Sequence, residues 1–263
     1  MADAFYERDG DAYVATPYTR GPWSREHQHA GPPSALLGRA VEAAGRIEDG
    51  RLARIAFDIL RPVPIAPLTI ATRVPRPGRG VEQVEATLAD AGSGDALMRA
   101  TAWRIRAANV DLPGEVAAPE PPPPGPDGLP AATRPSFFAD EIAYHAGLEW
   151  RFARGEFDGP GPAACWTRMR IQLVSGEAPT PLEHLLAMVD AASGISAVLD
   201  WSRFAFINVD LTVHLERPPA GEWLAMDAVT RPGALGAGVC TSVLFDRDGR
   251  AGVSAQSLFV GSR

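Results

Sequence analysis

Lysine is absent from this chain. All 25 basic residues are arginine, set against 32 acidic ones, for a net charge of −7. Without lysine there is neither Schiff-base chemistry nor a lysine general base. Without a basic block, the charge balance argues against nucleic-acid binding. Cysteine is scarce as well. Cys165 and Cys240 stand far apart and belong to no Cys-x-x-Cys or Cys/His metal spacing, which points to a reducing cytoplasm. No apolar run approaches the length of a membrane span. The acidic stretch Met1 to Glu7 lacks the apolar segment of a signal peptide. There is no Gly-x-Ser-x-Gly and no phosphate-binding loop. The cluster Gly233, Gly236, Gly238 lacks the strand–helix context of a dinucleotide site. His27-x-His29 has no evident partner ligands, so it reads as a plain loop; neither a metal nor a cofactor is expected.

What is present is a long internal repeat. Ile55 to Pro62 is matched by Leu211 to Pro218, and the match runs on without a gap from Leu68-Thr69-Ile70 and Leu224-Ala225-Met226 to Ala89-Asp90 and Phe245-Asp246. Upstream, Leu36 to Ala44 resembles Leu185 to Ser193. A unit of this length is too long for a solenoid repeat, so it reads as a duplicated domain. The 263 residues suffice for two modest cores.

Asp9-Gly10 predicts the turn of a hairpin between Phe5 and Trp23. A polar loop over 24–33 leads into a helix from about Ser34 to Ala44, stopped by Gly45. Strands are expected near 52–60, 67–74, 81–89 and 97–106. Residues 111–135 are rich in proline, including Pro119, Pro121 to Pro124, Pro126, Pro130 and Pro135, and predict a stiff linker without its own core. Strands near 146–154 and 164–173 open the second half. Thr180, Pro181 and Glu183 then spell a capping box with proline at the first helical position. Leu182, Leu185, Leu186 and Val189 form that helix's apolar stripe. Further strands are expected near 206–216, 222–230, 236–246 and 252–260. The first of these alternates Leu211, Val213 and Leu215 with Asp210, Thr212 and His214. One long helix followed by an antiparallel meander, twice over, predicts an α+β double hotdog. Its parts would be an N-terminal hotdog (1–112), a linker (113–135) and a C-terminal hotdog (136–263).

Three polar residues stand out in the second half. Asp190 lies mid-helix at the edge of the apolar stripe, with small neighbours Ala187, Ser193 and Gly194 that would let a ligand approach; its mate in the first copy is Val41. A solvated aspartate on the polar side of the helix is the plain alternative. Gln256 sits in the last strand, opposite about Thr101 of the first copy, and needs hydrogen-bond partners if buried. Asn208 and Asp210 open the strand after the second helix, on a face that could equally meet solvent.

The stretch Phe206 to Leu224, and the segment from Asp246-Arg247-Asp248-Gly249 to Gln256, resemble the second hotdog of type II acyl-CoA thioesterases. His29-Ala30-Gly31 resembles that family's glycine-containing approach to the first hotdog helix. The resemblance covers nearly all of the chain except the linker. It implies hydrolysis of a fatty acyl-CoA, with a water held by an aspartate, a threonine and a glutamine. Asp190 and Gln256 match two of these; Asn208 stands in place of the threonine. Backbone N–H groups at a helix start suit the developing oxyanion, and Gly31 is the candidate in the first copy, its missing side chain letting a ligand approach; His29 would line that entry, and Asp210 would contribute to substrate binding. The resemblance also implies a homodimer or higher homo-oligomer. Two other readings stay open. One is a non-catalytic acyl-thioester binder, motivated by Asn208. The other is a hotdog hydratase or dehydratase, in which Asp190 or Asp210 pairs with His184 or His214.

Overall fold

Asp9-Gly10 does turn a hairpin. In the computed structural model, which describes residues 3–114 and 120–263, β1 (Ala4–Asp9) pairs antiparallel with β2 (Ala12–Ala15). Met1-Ala2 of the acidic N-terminal stretch and residues 115–119 of the expected linker, Pro119 among them, lie outside the described residues. The first copy continues with helix α1 (Gly31–Ala44) and strands β3 (Gly50–Ile59), β4 (Pro67–Arg76), β5 (Val81–Asp90) and β6 (Ala96–Arg106). The second opens with β7 (Leu148–Arg154), β8 (Ala163–Met169) and the short β9 (Gln172–Val174). Helix α2 (Pro181–Val189) and a single turn, α3 (Ala192–Ile195), follow. The chain ends with β10 (Phe204–Asn208), β11 (Asp210–Leu215), β12 (Leu224–Pro232), β13 (Ala237–Asp246) and β14 (Gly249–Ser262).

Among the described residues all strands join one sheet, antiparallel except that β9 runs parallel to β1 at its edge. Outward from its middle the sheet runs β3-β6-β5-β4-β2-β1 on one side and β11-β14-β13-β12-β8-β7 on the other. The two orders are the same order. At the seam Ala56 faces Thr212, the residue 156 positions on, while Phe57 faces Leu211 and Ile55 faces Val213. A pseudo-twofold axis therefore crosses the sheet at the Ala56–Thr212 pair. This is the expected double hotdog with a continuous sheet.

The sheet curls around α1 and α2, which pack on each other. Leu36, Leu37 and Val41 of α1 and Leu185, Leu186 and Val189 of α2 are fully buried. Each contributes roughly 1.5–3 kcal/mol. Gly38 permits this approach, since a methyl there would be driven into Leu186. α1 begins at Gly31, three residues before the expected start. Pro32 and Pro33 fall in its first turn, where no N–H is needed. At α2 the capping box forms as expected, Thr180 Oγ1 accepting from the Glu183 N–H and Glu183 Oε2 from the Thr180 N–H.

The described residues of the proline-rich segment are no free spacer. Trp166 Nε1 donates to the Pro124 carbonyl at 2.7 Å. Trp166, Trp223 and Phe245 form a small second cluster on which Leu129 packs. Among the described residues no helix is long and apolar enough to cross a membrane.

Candidate active site

The second helix does not run through Asp190. α2 ends at Val189, Asp190 is its C-cap, and the chain turns before α3. The local sequence is helix-competent, so the break needs a tertiary cause. A helix C-terminus leaves carbonyls without partners, and here other elements supply donors. Tyr144 Oη donates to the Ala187 carbonyl at 2.7 Å, and Gln256 Nε2 donates to the Asp190 carbonyl at 3.0 Å. The Gly194 N–H, which an unbroken helix would direct at Asp190, donates instead to Ala191. Burial raises the Tyr144 phenol well above its ordinary range, which keeps it a donor.

The break aims the Asp190 side chain at a cavity of about 410 Å³ that Asp190, Asn208 and His29 help to line. Asn208 Nδ2 donates to Asp190 Oδ1 at 2.7 Å. His29 Nδ1 lies 2.9 Å from Asp190 Oδ2, with only 12% of the histidine side chain and 4% of the aspartate side chain exposed. His29 Nδ1 is also 3.2 Å from the Gly31 nitrogen. One ring nitrogen cannot donate and accept at once. A carboxylate offers only lone pairs, so the shorter contact places the proton on Nδ1. The imidazole is held by Tyr144, whose ring stacks on it at 3.6 Å, nearly parallel. Its Nε2 makes no hydrogen bond among the described residues.

Three of the expected residues thus meet around one carboxylate, and the others are placed differently. Gln256 is buried and grips the Asp190 backbone rather than a position in the cavity; its Oε1 has no partner among the described residues. Reversing the amide would set oxygen against oxygen, so the assignment stands. Gly31 is required for helix packing, not for ligand approach. The space a side chain would take is filled by the Ala187 carbonyl, and its N–H faces His29. Asp210 does not line the cavity. Its carboxylate clips β11 to β14, accepting from the Ser257 N–H at 2.5 Å and Oγ at 3.1 Å. The histidine partner of Asp190 is His29 of the first copy. His184 is buried against Thr167 Oγ1 at 2.8 Å, and burial pushes it down to about 3. His214 lies exposed on β11.

The register also identifies the mates in the first copy. Ala56 faces Thr101 as Thr212 faces Ala255. Gln256 therefore corresponds to Ala102, one residue beyond the expected Thr101 and on the opposite face. Leu52 faces Arg104 as Asn208 faces Leu258, so Leu52 is the mate of Asn208. Val41, Leu52 and Ala102 are all buried hydrocarbon. The polar arrangement exists once.

Tyr144 and the ring-lined wall of the cavity escaped the sequence reading. Trp23, Phe137, Trp150, Phe157, Trp201 and Phe206 all face it. They come from six separate segments, and no spacing connects them.

A model described as the acyl-CoA thioesterase C-terminal domain matches residues 113–260, and one described as the N-terminal domain of the same family matches 19–105. No curated protein matches the chain. Among solved structures, one described as a candidate thioesterase II from Thermobifida fusca is 23% identical with a TM-score of 0.74, over 97% of this chain and 94% of that one. A hot dog fold protein of unknown function from Alicyclobacillus acidocaldarius is 16% identical (TM-score 0.73; 97% and 95%). Acyl-CoA thioesterase II TesB2 from Mycobacterium marinum is 15% identical (TM-score 0.64; 98% and 94%). At these identities the likeness speaks to the fold.

Proposed function

Since the chain belongs to the acyl-CoA thioesterase family, we propose that it hydrolyses the thioester of an acyl-CoA to free acid and CoA, with Asp190 as general base. The observation that carries this reading is the buried carboxylate at the cavity wall, with an Asn208 N–H on one oxygen and the His29 Nδ1–H on the other. Each carboxylate oxygen keeps a further lone pair, on which a water in the cavity can be held. Asp190 takes a proton from that water as its oxygen attacks the thioester carbonyl carbon. The tetrahedral intermediate collapses, the C–S bond breaks, and the proton passes to the departing sulfur. A thiol is a good leaving group, with an ordinary pKa of about 8.5, so positioning supplies much of the rate. Gln256 is a positioning residue, acting through the Asp190 backbone. Asn208 in place of threonine does not weaken this reading, because its amide donates directly to the carboxylate. A fatty acyl-CoA is the substrate that the family resemblance implies.

The test is thiol release from acyl-CoAs of graded length by wild type and Asp190→Asn. Release that survives the substitution refutes the assignment of the base. Release from no thioester, by folded protein, favours a binding module. The Asp190–His29 pair supports one other reading, hydration of an enoyl-CoA. Its test is the loss of enoyl-thioester absorbance on incubation with the protein.

A further inference from the structure

One side of the cavity is built from rings that touch one another, while Ile59, Leu60, Val63, Ile195 and Val209 line it elsewhere. Trp201 stacks on Phe137 with centroids 4.0 Å apart and lies 4.9 Å from Trp23. Phe206 meets Trp201 edge-on at 4.5 Å. Trp150 and Phe157 extend the wall, 5.2 Å apart. Trp23 precedes α1, Phe137 follows the proline-rich segment, Trp201 follows α3 and Phe206 lies on β10, so no single element's periodicity accounts for the cluster. Trp23, Phe137 and Trp201 are only half-buried. Arg263 lies over the Trp23 ring at 5.0 Å, and the rest of this contiguous, partly exposed apolar surface is of the kind that marks a binding site.

The position of the rings relative to the carboxylate decides what they touch. Phe206 and Asn208 share the inner face of β10 while Ile207 between them is exposed. Two residues along a strand span roughly 7 Å. An acyl group with its carbonyl beside Asp190 and Asn208 therefore has its next few carbons among the rings. Ring faces and edges reward a planar π system over a saturated chain of equal carbon count. Each well-placed ring pair is worth up to about tenfold beyond area burial.

We propose that the acyl group is aryl-bearing, a thioester of an arylalkanoic acid, in place of the unbranched chain. This rests on the thioesterase reading. The test compares carbon-matched substrates, 3-phenylpropanoyl-CoA and nonanoyl-CoA, by kcat/KM. A preference of about tenfold for the aryl substrate is expected, and Trp201→Leu should bring the ratio toward one while Trp201→Phe retains most of it. Equal or faster hydrolysis of nonanoyl-CoA overturns the proposal, as does an unchanged ratio in folded Trp201→Leu. The same pair, as non-hydrolysable thioether analogues, is titrated by intrinsic tryptophan fluorescence. If no thioester is cleaved but the aryl analogue binds about tenfold tighter, the hydrolysis reading fails and the aryl pocket stands. If no thioester is cleaved and the two bind equally, the aryl pocket fails too.

Discussion

Asp190→Asn keeps the size of the side chain and changes only what its two ends do. In the wild type both neighbours donate to it, His29 Nδ1 at 2.9 Å and Asn208 Nδ2 at 2.7 Å. An amide offers one acceptor and one donor, so one contact must invert. Asn208 is the less able to change. Its Nδ2 also lies 3.4 Å from the Asp210 carbonyl, which would repel an oxygen. The histidine inverts instead, moving its proton to Nε2 and accepting at Nδ1. The fold then exchanges two charge-assisted hydrogen bonds for neutral ones, a cost of about 1–2 kcal/mol. For a chain of this size that lowers Tm by only a few degrees.

The rate suffers far more. The carboxylate base is gone, and a positioned acid or base contributes about 10²–10⁴-fold. We expect kcat/KM to fall about 10³-fold, close to 4 kcal/mol at 1.36 kcal/mol per decade. Thiol release and thermal melting on the same preparation separate the two effects. A loss below tenfold refutes Asp190 as the base. A loss of activity matched by collapse of the melting transition refutes the claim that the amide is accommodated.

Gln256→Leu strands the Asp190 carbonyl in a buried position, and should cost about 1–3 kcal/mol in urea unfolding. It should lower kcat with little change in KM; an undisturbed kcat would deny it a positioning role. Gly31→Ala drives a methyl into the Ala187 carbonyl, and should destabilise by about 1–3 kcal/mol, read as a lower melting temperature. Stability should also depend on pH through two histidines. Burial pushes His184 down to about 3, and burial with the nearby Arg134 pushes His145 down to about 4. Both lie below the unfolded value of about 6.5, so the unfolded chain takes up protons first. Their stabilisation is complete above pH 6.5 and is lost as pH falls toward 4 and 3. Urea midpoints between pH 8 and 5 should decline below 6.5, less steeply in His184→Gln; a flat profile would contradict the burial argument.

Local chemistry made much of the fold legible. The Asp9-Gly10 turn and the Thr180/Glu183 capping box each act within a few residues, and both form as the residues predict. The repeat made the sheet's symmetry legible as well, because matched strands pair across a pseudo-twofold axis. The break at Asp190 was hidden. Nothing between Leu185 and Ile195 forbids a helix, and the donors that end it come from Tyr144 and Gln256, both far off in sequence. The partnership of His29 with Asp190 joins the two copies, so no spacing within either copy reveals it. Gln256 corresponds to Ala102 and not to Thr101 because the turn between β5 and β6 is two residues longer than the turn between β13 and β14, which shifts the offset between the copies from 156 to 154.

The first copy shows what the site costs to keep. A carboxylate this deeply buried is tolerable only while its donors remain, because removing one partner exposes the full desolvation penalty of the charge. Replacing the whole polar set by apolar groups of similar shape carries no such penalty. Val41, Leu52 and Ala102 are that replacement, complete and fully packed. A cavity persists beside Leu52. It is about 460 Å³ and is lined by Leu52, Leu215, Pro218 and Pro219, the mates of Asn208, Ile59, Pro62 and Val63 at the first cavity. The duplicated fold therefore makes two related hollows, but only one has the Asp190, Asn208 and His29 set; the carboxylate at the other, Glu183, is taken up in capping α2 and pairing with Arg39. The helix of the copy without that set, α1, still contributes, since the loop leading into it carries His29 across to Asp190. Neither half could be expected to act alone.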